Sequence, residues 1–259
     1  MAVYIHGNAG SIDNDHSLGY ESTFVSQGFG FFMYDLLGRG KTSLERPNKK
    51  KAKKMSMTDL VAQAKEMVNI CLVQELRNLN VSAVGTGNRP QVFLMGRSIG
   101  GYITSWLLNL NFYDKNFEIK GVCLLCPAID RRPLIYKEQL TEDQRETLIS
   151  GQNIDLEYEP GKTVTLEWKT MRDHVENWFF FENAKRENFS GMDYPLKVVA
   201  GRRDFIAPVS TAARFLELVD QPKWCELIIS DEGDHSFKDP DTQLKVQTAL
   251  KSLMDIYQS

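Results

Sequence analysis

At 259 residues, with 42% hydrophobic and 25% charged side chains, the chain is long enough to bury a substantial core in one α/β domain. A net charge of −3 offers no global basic surface for nucleic acid, and no apolar segment approaches the ~20 residues of a membrane span. Cys71, Cys123, Cys126 and Cys225 lie in apolar segments, unlike the dense framework of a small secreted domain, and no signal peptide precedes the first strand, so a reducing, cytoplasmic setting is expected.

Short β-rich runs at AVYIH, GFFMYDL, QVFLM, IKGVCLLC, LKVVAG and WCELIIS alternate with spans of helical spacing, which predicts parallel strands joined by crossovers. The first run leads into HGNAGS. After the second, Gly38 to Thr42 imitates the end of a phosphate-binding loop. The first glycine of that motif would fall at position 35, where Asp35 stands, and a carboxylate there argues against nucleotide binding. The run from Lys49 to Lys54 reads as a solvated loop. The clearest helix covers 57–79, with Met57, Leu60, Val61, Ala64, Met67, Val68, Cys71, Leu72, Leu76 and Leu79 on one face. Ser56 and Asp59 cap its start, and Met55 and Leu60 are spaced as a hydrophobic staple. QVFLM passes directly into a helix from Ile99 to about Leu110. In GVCLLCPAI, Cys123 and Cys126 form a CxxC, but an offset of three sends strand side chains to opposite faces, so no redox or metal role is expected.

From Arg131 to Met192 the rhythm breaks into a charged helical piece (KEQLTEDQRETLI), a hairpin-like alternation around Pro160 and Gly161, and the aromatic WFFFENA. These residues are expected to form a cap inserted over the sheet, with residues 1–130 and 193–259 as the core. A final helix turns Val246, Ala249, Leu250, Leu253 and Ile256 inward.

In FLMGRSIGGYITSW a serine stands where a strand turns sharply into a helix. Bulk two residues to either side would collide with the neighbouring strand or helix, and Gly96 and Gly100 remove that bulk. Ser98 is thereby marked as a nucleophile, which needs a base, an acid to orient it and donors for the developing oxyanion. His235, in the loop after the last predicted strand, can return over the strand ends as base. Asp204 directly follows the preceding strand and is the first choice of acid, with Asp130 the alternative; Asp231 and Asp234 more simply shape the His235 loop. The backbone N–H groups of Asn8 and Ile99 are placed to face a substrate carbonyl oxygen, with Gly7 and Gly10 allowing close approach. His6, ending the first strand, fits a loop-shaping role better than a catalytic one.

At these residues the chain resembles the α/β-hydrolase superfamily. HGNAG, DLLGRGKTS, GRSIGG, GRRDFIAP and GDHSF occur in the family order from Ala2 to the last helix, apart from the cap, and their wording is most similar to the monoacylglycerol-lipase and serine-aminopeptidase-like groups. The resemblance implies an α/β-hydrolase fold, a Ser98, Asp204, His235 triad, oxyanion donors at Asn8 and Ile99, no cofactor, and hydrolysis of a small acyl substrate, an ester or thioester. It also implies that the first two family strands are absent, because Met1 is followed at once by AVYIHG. A sheet of about six parallel strands would then expose GFFMYDL as an edge, which must be covered or pair with a second copy as a homodimer.

In the cap, Trp168, Trp178 and Phe179, with Phe180 and Phe181, either line an apolar acyl pocket or bury the cap's own core. Glu157, Glu159 and Glu167 keep open a peptidase that binds a terminal amine. A catalytically idle binding protein on the same fold is a further alternative, although it would have no need of all three triad groups.

Overall fold

The computed structural model describes residues 1–7, 19–36, 56–78, 89–110, 117–129, 140–159, 161–166, 180–204, 206–221 and 223–258. Met55, the phosphate-loop imitation, the lysine run and Asp130 lie outside these residues.

The chain begins with β1 (Ala2–Ile5), α1 (Tyr20–Val25), β2 (Phe31–Tyr34), α2 (Met57–Asn78), β3 (Gln91–Arg97), α3 (Ile99–Asn109) and β4 (Glu118–Leu125). It ends with β7 (Leu196–Gly201), α6 (Val209–Val219), β8 (Cys225–Ser230) and α7 (Pro240–Gln258). These six strands form one sheet in the order β2-β1-β3-β4-β7-β8, every neighbouring pair parallel. A parallel sheet covered by helices on both faces buries both sets of its side chains, which is why its strands read as continuous apolar runs.

The period of two divides the core. Val3, Ile5, Leu94, Val122, Leu124 and Val198 join the cluster packed by α2, α3 and α6. Tyr4, Phe93, Met95, Cys123, Leu125 and Val199 join the other, with residues of α1 and α7. β2 lies at one edge, with Phe31, Phe32 and Met33 half-buried. The expected cap of α2 is present: Ser56 Oγ accepts from Asp59 N–H (3.1 Å) and Asp59 Oδ2 accepts from Ser56 N–H (2.9 Å).

Between β4 and β7 come α4 (Glu142–Ile149), β5 (Ile154–Glu159), β6 (Lys162–Leu166), α5 (Phe180–Asn183) and a 3-10 turn (Arg186–Phe189). β5 and β6 pair antiparallel, and Gly161 (φ 74°) sits in the turn between them. The return of this segment packs into the main core. Phe180 and Phe189 are buried against Phe215 of α6, and Asn109 of α3 donates to the Lys185 carbonyl at 2.8 Å. Phe180 therefore fills the core and does not line a pocket, whereas Trp168, Trp178 and Phe179 lie outside the described residues. No helix among the described residues is long and apolar enough to cross a membrane.

Candidate active site

β3 runs into α3 with one residue between them, and that residue, Ser98, takes φ 53° and ψ −118°. A non-glycine residue at positive φ is strained, and the surroundings must hold it there. They do so from both sides. Ser98 N–H donates to Leu125 O at 2.9 Å, and Ser98 O accepts from Tyr102 N–H (3.1 Å) and Ala128 N–H (3.0 Å). The glycines have the role expected of them: a Cβ on Gly96 would lie 2.7 Å from the Gly100 carbonyl carbon, and one on Gly100 would lie 2.6 Å from the His6 carbonyl oxygen.

Asp204 and His235 arrive on the loops that follow β7 and β8. The two loops cross where Gly201 faces Gly233, and Arg203 N–H donates to Gly233 O at 3.0 Å. The crossing brings the three side chains into line. Ser98 Oγ is 2.9 Å from His235 Nε2, and His235 Nδ1 is 2.8 Å from Asp204 Oδ2. A carboxylate only accepts, so Nδ1 carries the donated proton and Nε2 is left to accept from the serine hydroxyl. The other Asp204 oxygen accepts from Ile206 N–H (2.9 Å) and Ala207 N–H (2.8 Å), which fixes the buried carboxylate in place. Asp234 shapes the His235 loop by accepting from Ser236 N–H (2.8 Å) and Phe237 N–H (3.2 Å), while Asp231 pairs with Arg202.

Burial works against a charged His235 ring. The Asp204 carboxylate, hydrogen-bonded to the ring, acts in the opposite direction, and the histidine's pKa is raised.

Ile99 opens α3, and its N–H donates to no group among the described residues, leaving a donor beside Ser98 at a helix N-terminus. Asn8 lies outside the described residues. His6 is fully buried, with Nδ1 2.7 Å from Gly7 O and Nε2 accepting from Leu36 N–H at 2.9 Å. One ring nitrogen donates and the other accepts, so His6 is a neutral brace between the loops after β1 and β2.

Two residues near the site, Arg97 and Cys126, carry no mark in the sequence of the contacts they make here. Arg97 Nη2 donates to His235 O (3.3 Å) and Ser236 O (2.9 Å). Cys126 does not continue β4: it turns to φ 37°, joins the same apolar cluster as Cys123, and points its Sγ to within 3.7 Å of His235 O. Donor atoms of Cys126, Asp204 and His235 lie within 4.8 Å of one another, but a metal bound through His235 Nδ1 would have to displace its hydrogen bond to Asp204. None of Cys71, Cys123, Cys126 and Cys225 forms a disulfide, and burial pushes the Cys123 thiol up to about 12.

No protein-family model and no curated protein matches the sequence. Solved structures do match. The chain is similar to the monoacylglycerol lipase of Paleococcus ferrophilus at 18% identity and TM-score 0.67, covering 98% of this chain and 94% of that one. It is similar to a soluble variant of monoglyceride lipase from Saccharomyces cerevisiae at 16% identity and TM-score 0.70, covering 98% and 86%. Alpha/beta hydrolase domain-containing protein 10 from mouse matches at 13% identity and TM-score 0.69, covering 98% and 89%. With these neighbours and its six parallel strands between helices, the chain has the α/β-hydrolase fold.

Proposed function

We propose that the protein is a serine hydrolase that cleaves a small carboxylic ester or thioester through an acyl-enzyme. The observation that carries this reading is the continuous hydrogen-bond chain from Ser98 through His235 to Asp204, at 2.9 and 2.8 Å. His235 Nε2 takes the hydroxyl proton as Ser98 Oγ bonds to the substrate carbonyl carbon. The carbonyl electrons move to oxygen, which Ile99 N–H and Asn8 N–H stabilise. His235 then gives its proton to the leaving alcohol or thiol as the C–O or C–S bond breaks, and acyl-Ser98 remains. Water repeats the cycle, passing its proton to His235 and releasing the acid. The Asp204 carboxylate holds the imidazole in register and stabilises its cation. The chemistry calls for no cofactor.

The lipase names of two structural neighbours support an ester substrate. Of Glu157, Glu159 and Glu167, weighed above for amine binding, Glu157 accepts from Gly161 N–H within its own hairpin, which does not favour a peptidase. Treatment with a fluorophosphonate probe, followed by mass spectrometry, is expected to place the adduct on Ser98, and Ser98→Ala is expected to abolish both labelling and p-nitrophenyl butyrate hydrolysis. A folded wild-type protein that takes no label, or a Ser98→Ala variant that hydrolyses at the wild-type rate, overturns the reading.

A further inference from the structure

Two side chains outside the Ser98, His235, Asp204 set converge on a single atom, the His235 carbonyl oxygen. Arg97 Nη2 donates to it at 3.3 Å and to the next carbonyl, Ser236 O, at 2.9 Å. Cys126 Sγ donates to it at 3.7 Å from the other flank. We propose that Arg97 and Cys126 are positioning residues that fix how far His235 reaches toward Ser98; the proposal rests on the serine-hydrolase reading above.

Both anchors are rooted beside Ser98. Arg97 is the last residue of β3 and the immediate neighbour of Ser98, so its guanidinium ties the histidine loop to the strand end that carries the nucleophile. Cys126 is rooted equally close. Its N–H donates to Val199 O at 2.8 Å, and the residues around it grip the serine backbone, since Leu125 O accepts from Ser98 N–H and Ala128 N–H donates to Ser98 O. Both anchors therefore hold His235 relative to Ser98 itself.

The loop's own hydrogen bonds do not do this. Asp234 caps Ser236 and Phe237, which sets the loop's shape but not its distance from β3. Asp204 grips the ring from the side away from Ser98. A guanidinium bound to two successive carbonyls leaves that peptide little freedom to swing, because its donors are held in one plane. A thiol is a weaker donor, but Cys126 is fully buried, where a displaced partner cannot be replaced by water.

Among the described residues, the charged or titratable groups that adjoin His235 are Arg97 from β3, Cys126 after β4, Asp204 after β7, and Asp234 within its own loop. Asp204 acts to keep the ring protonated, whereas Cys126, donating as an uncharged thiol, acts on the position of the histidine backbone.

The test compares wild type, Arg97→Met, Arg97→Lys, Cys126→Ala and Cys126→Ser for fluorophosphonate labelling rate and for kcat and KM on p-nitrophenyl butyrate across pH. Melting temperatures are measured alongside. Arg97→Met is expected to lower kcat by roughly 10- to 100-fold with KM little changed, the scale of a misplaced catalytic group. Arg97→Lys is expected to recover part of the loss, since an ammonium keeps a donor for these carbonyls but lacks the planar, preorganised guanidinium. Cys126→Ala is expected to lower kcat, and Cys126→Ser, which keeps a donor, to restore the rate. Folded Arg97→Met and Cys126→Ala variants with wild-type kcat and pH profile overturn the proposal, as does equal loss in Cys126→Ser and Cys126→Ala.

A second readout does not depend on turnover. The proton resonance of His235 Nδ1 hydrogen-bonded to Asp204 is expected to persist in Ser98→Ala and to broaden or vanish in Arg97→Met; its persistence there counts against positioning. A wild-type protein that takes no label at Ser98 defeats the hydrolase reading, and the resonance still decides the role of Arg97.

Discussion

The crossing of the loops after β7 and β8 gives the most direct handle on the site. In Gly201→Ala, the new Cβ would lie 2.6 Å from the Gly233 carbonyl carbon and 3.1 Å from Gly233 Cα. Carbon atoms in contact sit at about 3.5 Å or more, so the two loops must part by about 0.9 Å. Flexible side-chain ends cannot absorb this displacement, because backbone meets backbone. His235 lies two residues beyond Gly233, and its Nε2 is 2.9 Å from Ser98 Oγ. Adding the displacement takes that separation to about 3.8 Å, outside hydrogen-bond range. A misplacement of about 1 Å costs roughly 10²-fold in rate, equivalent to about 2.7 kcal/mol at the transition state. The overpacking itself destabilises the fold by about 1–3 kcal/mol, or a fall in Tm of roughly 2–10 °C for a chain of this size. Stopped-assay kcat on p-nitrophenyl butyrate, with a melt followed by circular dichroism, measures both. A folded Gly201→Ala variant with wild-type kcat would refute the claim that this crossing sets the histidine's position.

Two further outcomes follow from the packing and from the histidine. Phe180 is fully buried, with ring centroids 5.0 Å from Trp106 and 5.5 Å from Phe215, so Phe180→Ala is expected to cost about 3–5 kcal/mol in urea unfolding; a loss below about 1 kcal/mol would show that the ring is not a core member. Because the folded pKa of His235 is raised, its contribution to stability is complete below its ordinary value of about 6.5 and is lost as pH rises through the folded value. The Tm advantage of wild type over His235→Gln is accordingly expected to shrink, and kcat/KM to climb as the free base forms, between about pH 6.5 and about pH 10. A Tm advantage that grows with pH would reverse the sign of this coupling.

The strands, the two main helices and the junction at Ser98 were legible because each is written locally. Apolar runs of strand length mark a doubly covered parallel sheet, and glycines two positions to either side of a serine at a strand-to-helix switch have few other uses. Asp204 and His235 were legible from their place after successive late strands, since parallel strands deliver the following loops to one end of the sheet. Arg97 and Cys126 were not. IKGVCLLC reads as strand through Cys126, whereas β4 stops at Leu125 and the next residue takes a left-handed turn, which reverses the face its side chain meets. A flexible arginine at a strand end carries no sequence mark of which carbonyl, 138 residues away, it will bind. The aromatic run was ambiguous for a related reason: whether Phe180 lines a pocket or fills the core depends on the path of the chain around it, and the ring goes inward against Trp106.

The Ser98 to His235 hydrogen bond joins residues 137 apart in the chain. Bringing such distant points together costs about 4 kcal/mol in loop entropy beyond a constant, a cost offset by the pairing of β3, β4, β7 and β8 in one sheet. A nascent chain that has emerged only as far as α6 carries Ser98 and Asp204 but not His235. On the serine-hydrolase reading proposed above, reactivity is then expected to be the last property acquired during synthesis or refolding, and its recovery to report completion of the sheet.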